Sequence, residues 1–209
     1  MDSLVRATAK RRERGLIPVH NPIKEPQSFD LECRQKGEQW LATNPDAKRP
    51  RDLWSPFRLQ LAEGFAERCG YAAMWISSGT IDHHVSFHEN PALAYEWSNF
   101  RYVEGWINSS KSRKTAANFL DPFEVESDWF EIELPSLQLM LTDRVPEDLR
   151  TKAEYTLAKL PIQHDERIIR ARRAWLEMYE QGTPIDVIEE KAPLIAKAIK
   201  RHNWPQTSR

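Results

Sequence analysis

The stretch TIDHHVSFHENPALAYEWSNFRYVEGWINSSKSRK, from Thr80 to Lys114, concentrates chemically capable side chains in one short segment. Asp82 and His83 stand together near its start, and Asn99 and Asn108 follow further along. Carboxylate and amide oxygens are ligands for hard cations, and imidazole is a proton acceptor near neutral pH. Basic residues close the segment, and such residues contact phosphate. The segment therefore predicts a site at which a metal ion meets an anionic substrate.

The rest of the composition is typical of a soluble globular protein. The 209 residues suit one domain with extensions or two small domains, and the mean hydropathy is -0.66. No segment reaches the roughly 18 consecutive apolar residues of a membrane span, and no apolar stretch follows the basic N-terminus as in a secretory signal. Cys33 and Cys69 form no CxxC pair, which disfavours a disulfide framework and predicts a cytoplasmic protein.

Charge is nearly balanced overall but unevenly distributed. The net charge is -1, yet residues 1–14 hold five Lys or Arg against two acids. Residues 101–114 hold four against Glu104, whereas residues 121–148 hold nine acids against Arg144 alone. A local basic patch can bind phosphate even where an acidic flank cancels the total. The acidic stretch predicts either a docking surface for a basic partner or a surface that directs DNA towards the basic segment.

Proline and glycine positions predict the elements around the opening segment. Prolines interrupt residues 1–51, which predicts a loosely structured arm, with a phosphate-binding arm as the alternative. Ser55 as N-cap and Pro56 at the first helical position predict a helix that ends at Cys69-Gly70. Two apolar runs around Ser77-Ser78-Gly79 predict a β-hairpin over residues 73–87. Another helix is expected over about residues 101–114.

The C-terminal half is expected to contain a second hairpin and a series of helices. Alternating apolar residues over 124–141, with Pro135-Ser136 as the turn, predict the hairpin. Proline and cap signals then predict helices that begin near Pro146, Asp165, Thr183-Pro184 and Pro193. The chain is thus predicted to be α+β, with a basic proline-punctuated arm (1–51), a core with a preceding helix (52–120), an acidic hairpin segment (121–145) and C-terminal helices (146–209).

The order of residues in the opening segment resembles the HNH endonuclease family, whose ββα-metal fold carries an acid-His pair, Asn, a second Asn or His, and Lys. Here these are Asp82-His83, Asn99, Asn108 and Lys111. The spacing N-x8-N-x2-K from Asn99 to Lys111 is also similar to that of the HNH domain of CRISPR effector proteins. The resemblance covers about residues 69–115. It implies a ββα-metal core and a Mg²⁺- or Mn²⁺-dependent endonuclease that hydrolyses phosphodiester bonds in DNA.

The resemblance also implies a role for each residue of the motif. Asp82 and Asn108 would bind the metal through oxygen, and His83 would be the general base. Asn99 would hydrogen-bond the loop backbone and hold His83 in place. Adjacent strand residues point to opposite faces, and the family resolves this because the strand ends at this point and bends towards the helix. A register shifted by one residue would make His84 the base.

The basic residues of the segment are expected to bind nucleic acid. Lys111 and Lys114 would meet the DNA backbone as point charges, and the same patch contains Arg101 and Arg113. Each site residue also has a simpler structural interpretation. A turn aspartate, a surface histidine, a helix-terminal amide or a solvated charged face would place the same residue types at these positions.

The segment departs from many HNH proteins where these carry two CxxC pairs for a structural zinc. Cys69-Gly70-Tyr71-Ala72 stands at the first position and Val103-Glu104-Gly105-Trp106 at the second. One thiol of the expected four is present, so a tetrahedral zinc site is not expected. Val103 and Trp106 are predicted to fill the space by apolar packing.

Residues 120–134 are similar to the segment that follows the HNH core in bacterial HNH proteins. Some relatives of similar size accompany an ATPase in phage-defence systems such as Septu, which implies a partner ATPase or another defence protein. One core cuts one strand, so a double-strand break would require a homodimer or two binding events, and a single event would leave a nick. Two alternatives stay open: a ribonuclease, and an HNH-like module that binds nucleic acid or protein without cutting.

Overall fold

The computed structural model describes residues 23–112, 114–126 and 128–207 and has an α+β architecture. The N-terminal basic cluster and Arg113 lie outside the described residues. The helices and strands, in chain order, are α1 (Gln35–Thr43), α2 (Arg58–Gly64), β1 (Thr80–His83), β2 (Phe100–Val103), α3 (Gly105–Lys111), β3 (Phe130–Glu133), β4 (Gln138–Leu141), α4 (Glu147–Lys159), α5 (Glu166–Glu180), α6 (Ile185–Lys191) and α7 (Pro193–His202). Among the described residues, no helix has both the length and the apolar character needed to cross a membrane.

The C-terminal half follows its sequence signals closely. β3 and β4 form the expected antiparallel hairpin, with Phe130 opposite Leu141. The Asp165 carboxylate accepts a hydrogen bond from the Arg167 backbone N–H and caps α5. Pro193 occupies the first turn of α7, where its missing N–H costs nothing. The predicted second hairpin and the predicted helices after residue 145 are confirmed.

The N-terminal half differs from its sequence signals at four places. The helix predicted to end at Cys69-Gly70 ends at Gly64. The predicted hairpin over 73–87 is wrong, because β1 pairs with β2 and not with the preceding run. The helix expected over 101–114 is shorter, because residues 100–103 extend as β2 before α3 begins. Residues 30–43, expected to be loosely structured, form one π-helical turn followed by α1. Phe29 and Cys33 anchor this helix, since both are fully buried.

The strand pair β1–β2 and helix α3 lie between two hydrophobic clusters. One cluster joins β3, β4 and helices α4 to α7 with Val103 and Ile107. The other joins Phe29 and α2 with the opposite side of the strand pair, through Ile81 and Phe100. The segment that carries the motif is therefore held from both sides by residues distant in sequence.

Arg172 is a polar anchor of the larger cluster and yields a stability prediction. Its guanidinium is 1% exposed and donates to the carbonyl oxygens of Leu137 (2.9 Å), Gln163 (3.0 Å) and Ile162 (2.6 Å). Burial lowers its pKa to about 10, so it stays charged at neutral pH. We expect Arg172→Met to lower the free energy of unfolding by about 3–5 kcal/mol, because three buried acceptors lose their donor.

Urea unfolding followed by circular dichroism measures this loss, with Arg173→Met as the matched control. Arg173 is the next residue of α5 and is exposed, so its replacement should change stability by less than about 0.5 kcal/mol. Equal stability of the two variants would contradict the anchoring role of Arg172.

Candidate active site

The strand pair and the following helix build one compact unit. β1 and β2 are antiparallel, with Asp82 opposite Arg101, and loop 84–99 joins them. Helix α3 then returns along β1, where the Asn108 side-chain amide donates to the Thr80 hydroxyl at 3.1 Å. The order is strand, loop, strand, helix. Asp82 near the end of β1 and Asn108 on α3 thereby lie on neighbouring elements.

Asn99 closes the loop between the strands. Its side-chain oxygen accepts from the Val85 N–H at 2.8 Å, and its amide donates to the carbonyl oxygens of Val85 (2.9 Å) and Leu93 (3.0 Å). Its main-chain oxygen accepts from the His84 N–H at 2.8 Å. The side chain is 5% exposed. This is the loop contact that the resemblance implied, and it fixes the backbone directly after Asp82-His83.

Asp82 forms a buried ion pair with Lys111. The Lys111 ammonium lies 2.7 Å from Asp82 Oδ2 and 3.0 Å from each of the carbonyl oxygens of His83 and His84. The Asp82 side chain is 5% exposed and the Lys111 side chain is 3% exposed. Burial raises the pKa of the Asp82 carboxyl, and Lys111 opposes this shift. Lys111 was expected to meet the DNA backbone as a surface charge, but its ammonium is inside the protein.

Arg101 is also buried, unlike the surface cation that the sequence suggested. It is 4% exposed, and its guanidinium makes two hydrogen bonds to Asp121, at 2.7 and 2.5 Å. The guanidinium carbon lies 3.8 Å from the ring centre of Phe123. Asp121 was read only as part of the acidic stretch. It lies beyond the segment Thr80–Lys114, and its one local feature is that it precedes Pro122.

His83 faces the aromatic side of the strand pair. Its Nε2 lies 2.9 Å from the Ala94 carbonyl oxygen, and its ring centre is 4.6 Å from that of Trp54 and 5.0 Å from that of Phe100. A carbonyl only accepts hydrogen bonds, so Nε2 carries the proton and Nδ1 the lone pair. Burial lowers the pKa of His83 below its usual range. The expected bend towards the helix does not occur, because β1 continues through His83.

His84 lies on the same side of the strand pair as Asp82, as alternation requires. Its Nε2 is 3.8 Å from Asp121 Oδ2, and its Nδ1 is buried without a hydrogen-bond partner among the described residues. Burial lowers the pKa of His84 to about 4. A base with so low a pKa accepts a proton poorly at neutral pH.

Lys114 contacts the end of α3. Its ammonium donates to the Ser110 carbonyl oxygen and lies 3.5 Å from that of Lys111, where a cation offsets the negative end of the helix dipole. The prediction for Arg113 falls outside the described residues. Of the four cations expected to bind nucleic acid, Arg101 and Lys111 are thus withdrawn from the surface and Lys114 is half-buried.

Tyr71 belongs to the same polar interior but was missed in the sequence. It is 2% exposed, and its hydroxyl has no hydrogen-bond partner among the described residues. Burial raises its pKa well above the usual range, and the charges of Asp82 and Asp121 add to this effect. A lone tyrosine between Gly70 and Ala72 carried no signal of such a position.

The oxygen atoms around the Lys111 ammonium indicate which kind of cation this site could hold. One carboxylate and two main-chain carbonyl oxygens converge on the ammonium, and this donor set is the one that hard cations prefer. No group of three or more His, Cys, Asp or Glu side chains within the described residues is arranged to hold a metal ion. A metal ion that used Asp82 would therefore have to compete with Lys111 for that carboxylate.

The two segments that stand in place of CxxC pairs pack against each other. The Cys69 sulfur accepts from the Glu104 backbone N–H at 3.3 Å, and Cys69 and Val103 are fully buried. Burial raises the pKa of the Cys69 thiol to about 11, which keeps it protonated and a poor metal ligand.

We expect the purified protein to contain no stoichiometric zinc, because three of the four ligands are absent from these segments. Elemental analysis after dialysis against EDTA measures the zinc content. The Cys69→Ala variant is the companion measurement, and it should show the same zinc content as the wild type. One tightly held zinc per chain would contradict this prediction and direct attention to His84 and His88.

Comparisons with known proteins give no independent assignment, since no family model, curated protein or solved structure matches the chain.

Proposed function

We propose that the protein is a metal-dependent HNH-type endonuclease that hydrolyses phosphodiester bonds in DNA. The observation that carries the proposal is the unit of β1, loop 84–99, β2 and α3. In it Asn99 locks the loop after Asp82-His83, and α3 sets Asn108 against β1. The sequence predicted the order strand, turn, strand, loop and helix, whereas here loop 84–99 lies between the two strands and α3 follows β2 directly.

Asp82 and Asn108 would hold Mg²⁺ or Mn²⁺ through their side-chain oxygens. When bound, the ion supplies charge relief for the phosphate and the leaving oxygen. The chain itself contributes the ligand positions, which α3 and β1 fix relative to each other. Lys111 must leave Asp82 for that carboxylate to take up the ion fully, and its ammonium is then free to contact the substrate phosphate.

His83 is the proposed general base. Its hydrogen bond to Ala94 leaves Nδ1 unprotonated, and its lowered pKa keeps the ring neutral at pH 7. His84 is the competing candidate, because it shares a face with Asp82. Its pKa of about 4 makes it the weaker base. For His83 to act beside Asp82, the end of β1 must turn towards α3 when substrate binds.

A binding module without cleavage is the second candidate, and the ion pair of Asp82 with Lys111 favours it. A cation of the protein already occupies the acidic position at 2.7 Å, so a fold that only binds would need no metal. The partner ATPase, the homodimer and the role in phage defence stay proposals that rest on the resemblance.

Nicking of supercoiled plasmid in Mg²⁺, Mn²⁺ or EDTA tests the proposal, with labelled RNA as a parallel substrate. Metal-dependent nicking supports the DNA endonuclease. Cleavage of RNA alone would replace it with the ribonuclease. Tight binding with no cleavage of either substrate in any metal would replace it with the binding module.

A further inference from the structure

The motif itself offers little free positive charge to a nucleic acid. Arg101 is bound to Asp121 and Lys111 to Asp82, and both cations are nearly inaccessible. Lys114 contacts the carbonyl end of α3. Phosphate contacts supply essentially all of the non-specific affinity of proteins for DNA and a large share of the specific affinity. A nuclease with this core therefore requires cations from another part of the chain.

Residues 48–58, called here the basic strip, supply such cations. Lys48, Arg49, Arg51 and Arg58 are all exposed. Within the described part of the chain, no ion pair is found for any of them. Their stretch also contains Asp52, but that carboxylate accepts from the Ser55 N–H (3.0 Å) and hydroxyl (2.6 Å).

Several other exposed cations differ from those of the strip because acids neutralise them. Ion pairs at 2.5–2.7 Å join Arg144 to Asp128, Arg170 to Glu166 and Lys200 to Glu189, and Arg201 pairs with Glu131. Exposed charges that are already paired lose much of their field, whereas unpaired ones attract polyanions. The strip is therefore better suited to a phosphate backbone than these positions are.

The strip is attached to the candidate active site. The Tyr95 hydroxyl, from loop 84–99, donates to the Arg51 carbonyl oxygen at 2.9 Å. Trp54, in the middle of the strip, packs edge-on against His83 with ring centres 4.6 Å apart. The strip is thus joined to this unit through the Arg51 backbone and Trp54, and its basic side chains are exposed to solvent.

We propose that the basic strip binds the phosphate backbone of the nucleic acid substrate and guides it to the site at the end of β1. This inference rests on the proposed function, since it assigns the substrate-binding surface of that site. The cations act as point charges along the backbone, so the surface takes any sequence of duplex DNA. An acidic membrane surface is the less suitable occupant, because Leu59 is the one large apolar side chain beside the strip that is strongly exposed among the described residues.

Binding in EDTA tests the strip without cleavage, by fluorescence anisotropy of a labelled 30-base-pair duplex over a range of KCl concentrations. The strip variant replaces Lys48, Arg49, Arg51 and Arg58 with Gln. The control variant replaces the paired cations Arg144, Arg170, Lys200 and Arg201 with Gln, so both lose the same net charge. Circular dichroism verifies the fold of each, and residues 1–47 are unchanged in both.

We expect the strip variant to bind at least about ten-fold more weakly at 50 mM KCl and to lose about 2–4 units of the slope of log Kd against log salt. The control should stay within about two-fold of the wild type. Equal weakening in both variants, or wild-type affinity in the strip variant, would overturn the proposal. Stronger binding of the wild type to phosphatidylserine vesicles than to DNA would overturn it in favour of a membrane.

The outcomes separate this inference from the proposed function. If the wild type nicks plasmid with Mg²⁺ and the strip variant binds DNA normally, the proposed endonuclease function is supported and the proposed role of the strip is wrong. If the strip variant alone loses binding and the wild type never cleaves, the strip is supported as the DNA-binding surface and the binding module replaces the nuclease as the proposed function.

Discussion

Asn108→Ala and Asp82→Asn are each expected to lower the rate of plasmid cleavage by about 10³-fold or more. Each change removes one proposed oxygen ligand of the metal. The charge stabilisation supplied by a bound ion amounts to several kcal/mol, and each 1.36 kcal/mol corresponds to a tenfold change in rate. Titration calorimetry with Mn²⁺ should show weaker binding in both variants, which gives a readout independent of activity.

The choice of Asp82→Asn follows from the buried ion pair. Either substitution leaves the Lys111 ammonium without its counter-charge, but removal of the side chain would also take away its hydrogen-bond acceptor, so that a loss of folding would be confused with a loss of function. Asparagine keeps the shape and an acceptor for Lys111. Asp143→Asn and Asn118→Ala are matched controls, because both residues are exposed. Wild-type cleavage and Mn²⁺ affinity in either site variant would remove that residue from the metal site.

His83→Ala is expected to lower the single-turnover cleavage rate by about 10²–10⁴-fold while Mn²⁺ affinity is retained. His84→Ala should lose much less, since the low pKa of His84 makes it a poor proton acceptor. His83→Gln keeps a donor for the Ala94 carbonyl oxygen and should be nearly as slow. His164→Ala is the control, because that histidine is exposed.

The pH dependence gives a second measure of the same assignment. A general base acts in its neutral form, so the rate rises with pH through the pKa of the base and then levels. Burial lowers the pKa of His83 below 6.5, which places the rise on the acidic side of 6.5. His83→Ala should abolish this rise. A dead His84→Ala variant beside an active His83→Ala variant would transfer the role to His84, and full cleavage activity in both would contradict the assignment of either histidine as the base.

Local patterns were sufficient for the C-terminal half of the fold. Each signal in this half acts within a single element. Period-two alternation over 124–141 predicted the strands, and the proline and cap signals at Pro146, Asp165 and Pro193 predicted helix starts. Helices α4, α5 and α7 begin at or next to these signals. The identity of the motif residues is likewise a property of the sequence. Asp82, Asn99, Asn108 and Lys111 are spaced so that a strand, a loop and a helix bring them together.

Pairing and burial were decided by contacts over long distances in sequence. The partner of β1 is β2, beyond loop 84–99, and not the adjacent run at 73–77. A hairpin signal near Ser77-Ser78-Gly79 reports only local turn preference. Strand pairing depends in addition on which side chains find a buried face, and here Ile81 and Phe100 share the cluster around Phe29.

The exposure of the charged residues was likewise a property of the tertiary structure. Lysine and arginine are exposed by default, so Lys111 and Arg101 were expected to face DNA. Both are buried because Asp82 and Asp121 supply opposite charges within 2.7 Å inside the fold. An isolated buried charge is too costly to persist, but a paired and hydrogen-bonded one is tolerated. The sequence alone therefore determined which charged residues the site contains. Which of these residues remain unpaired and exposed was decided by where the tertiary structure places the residues of opposite charge.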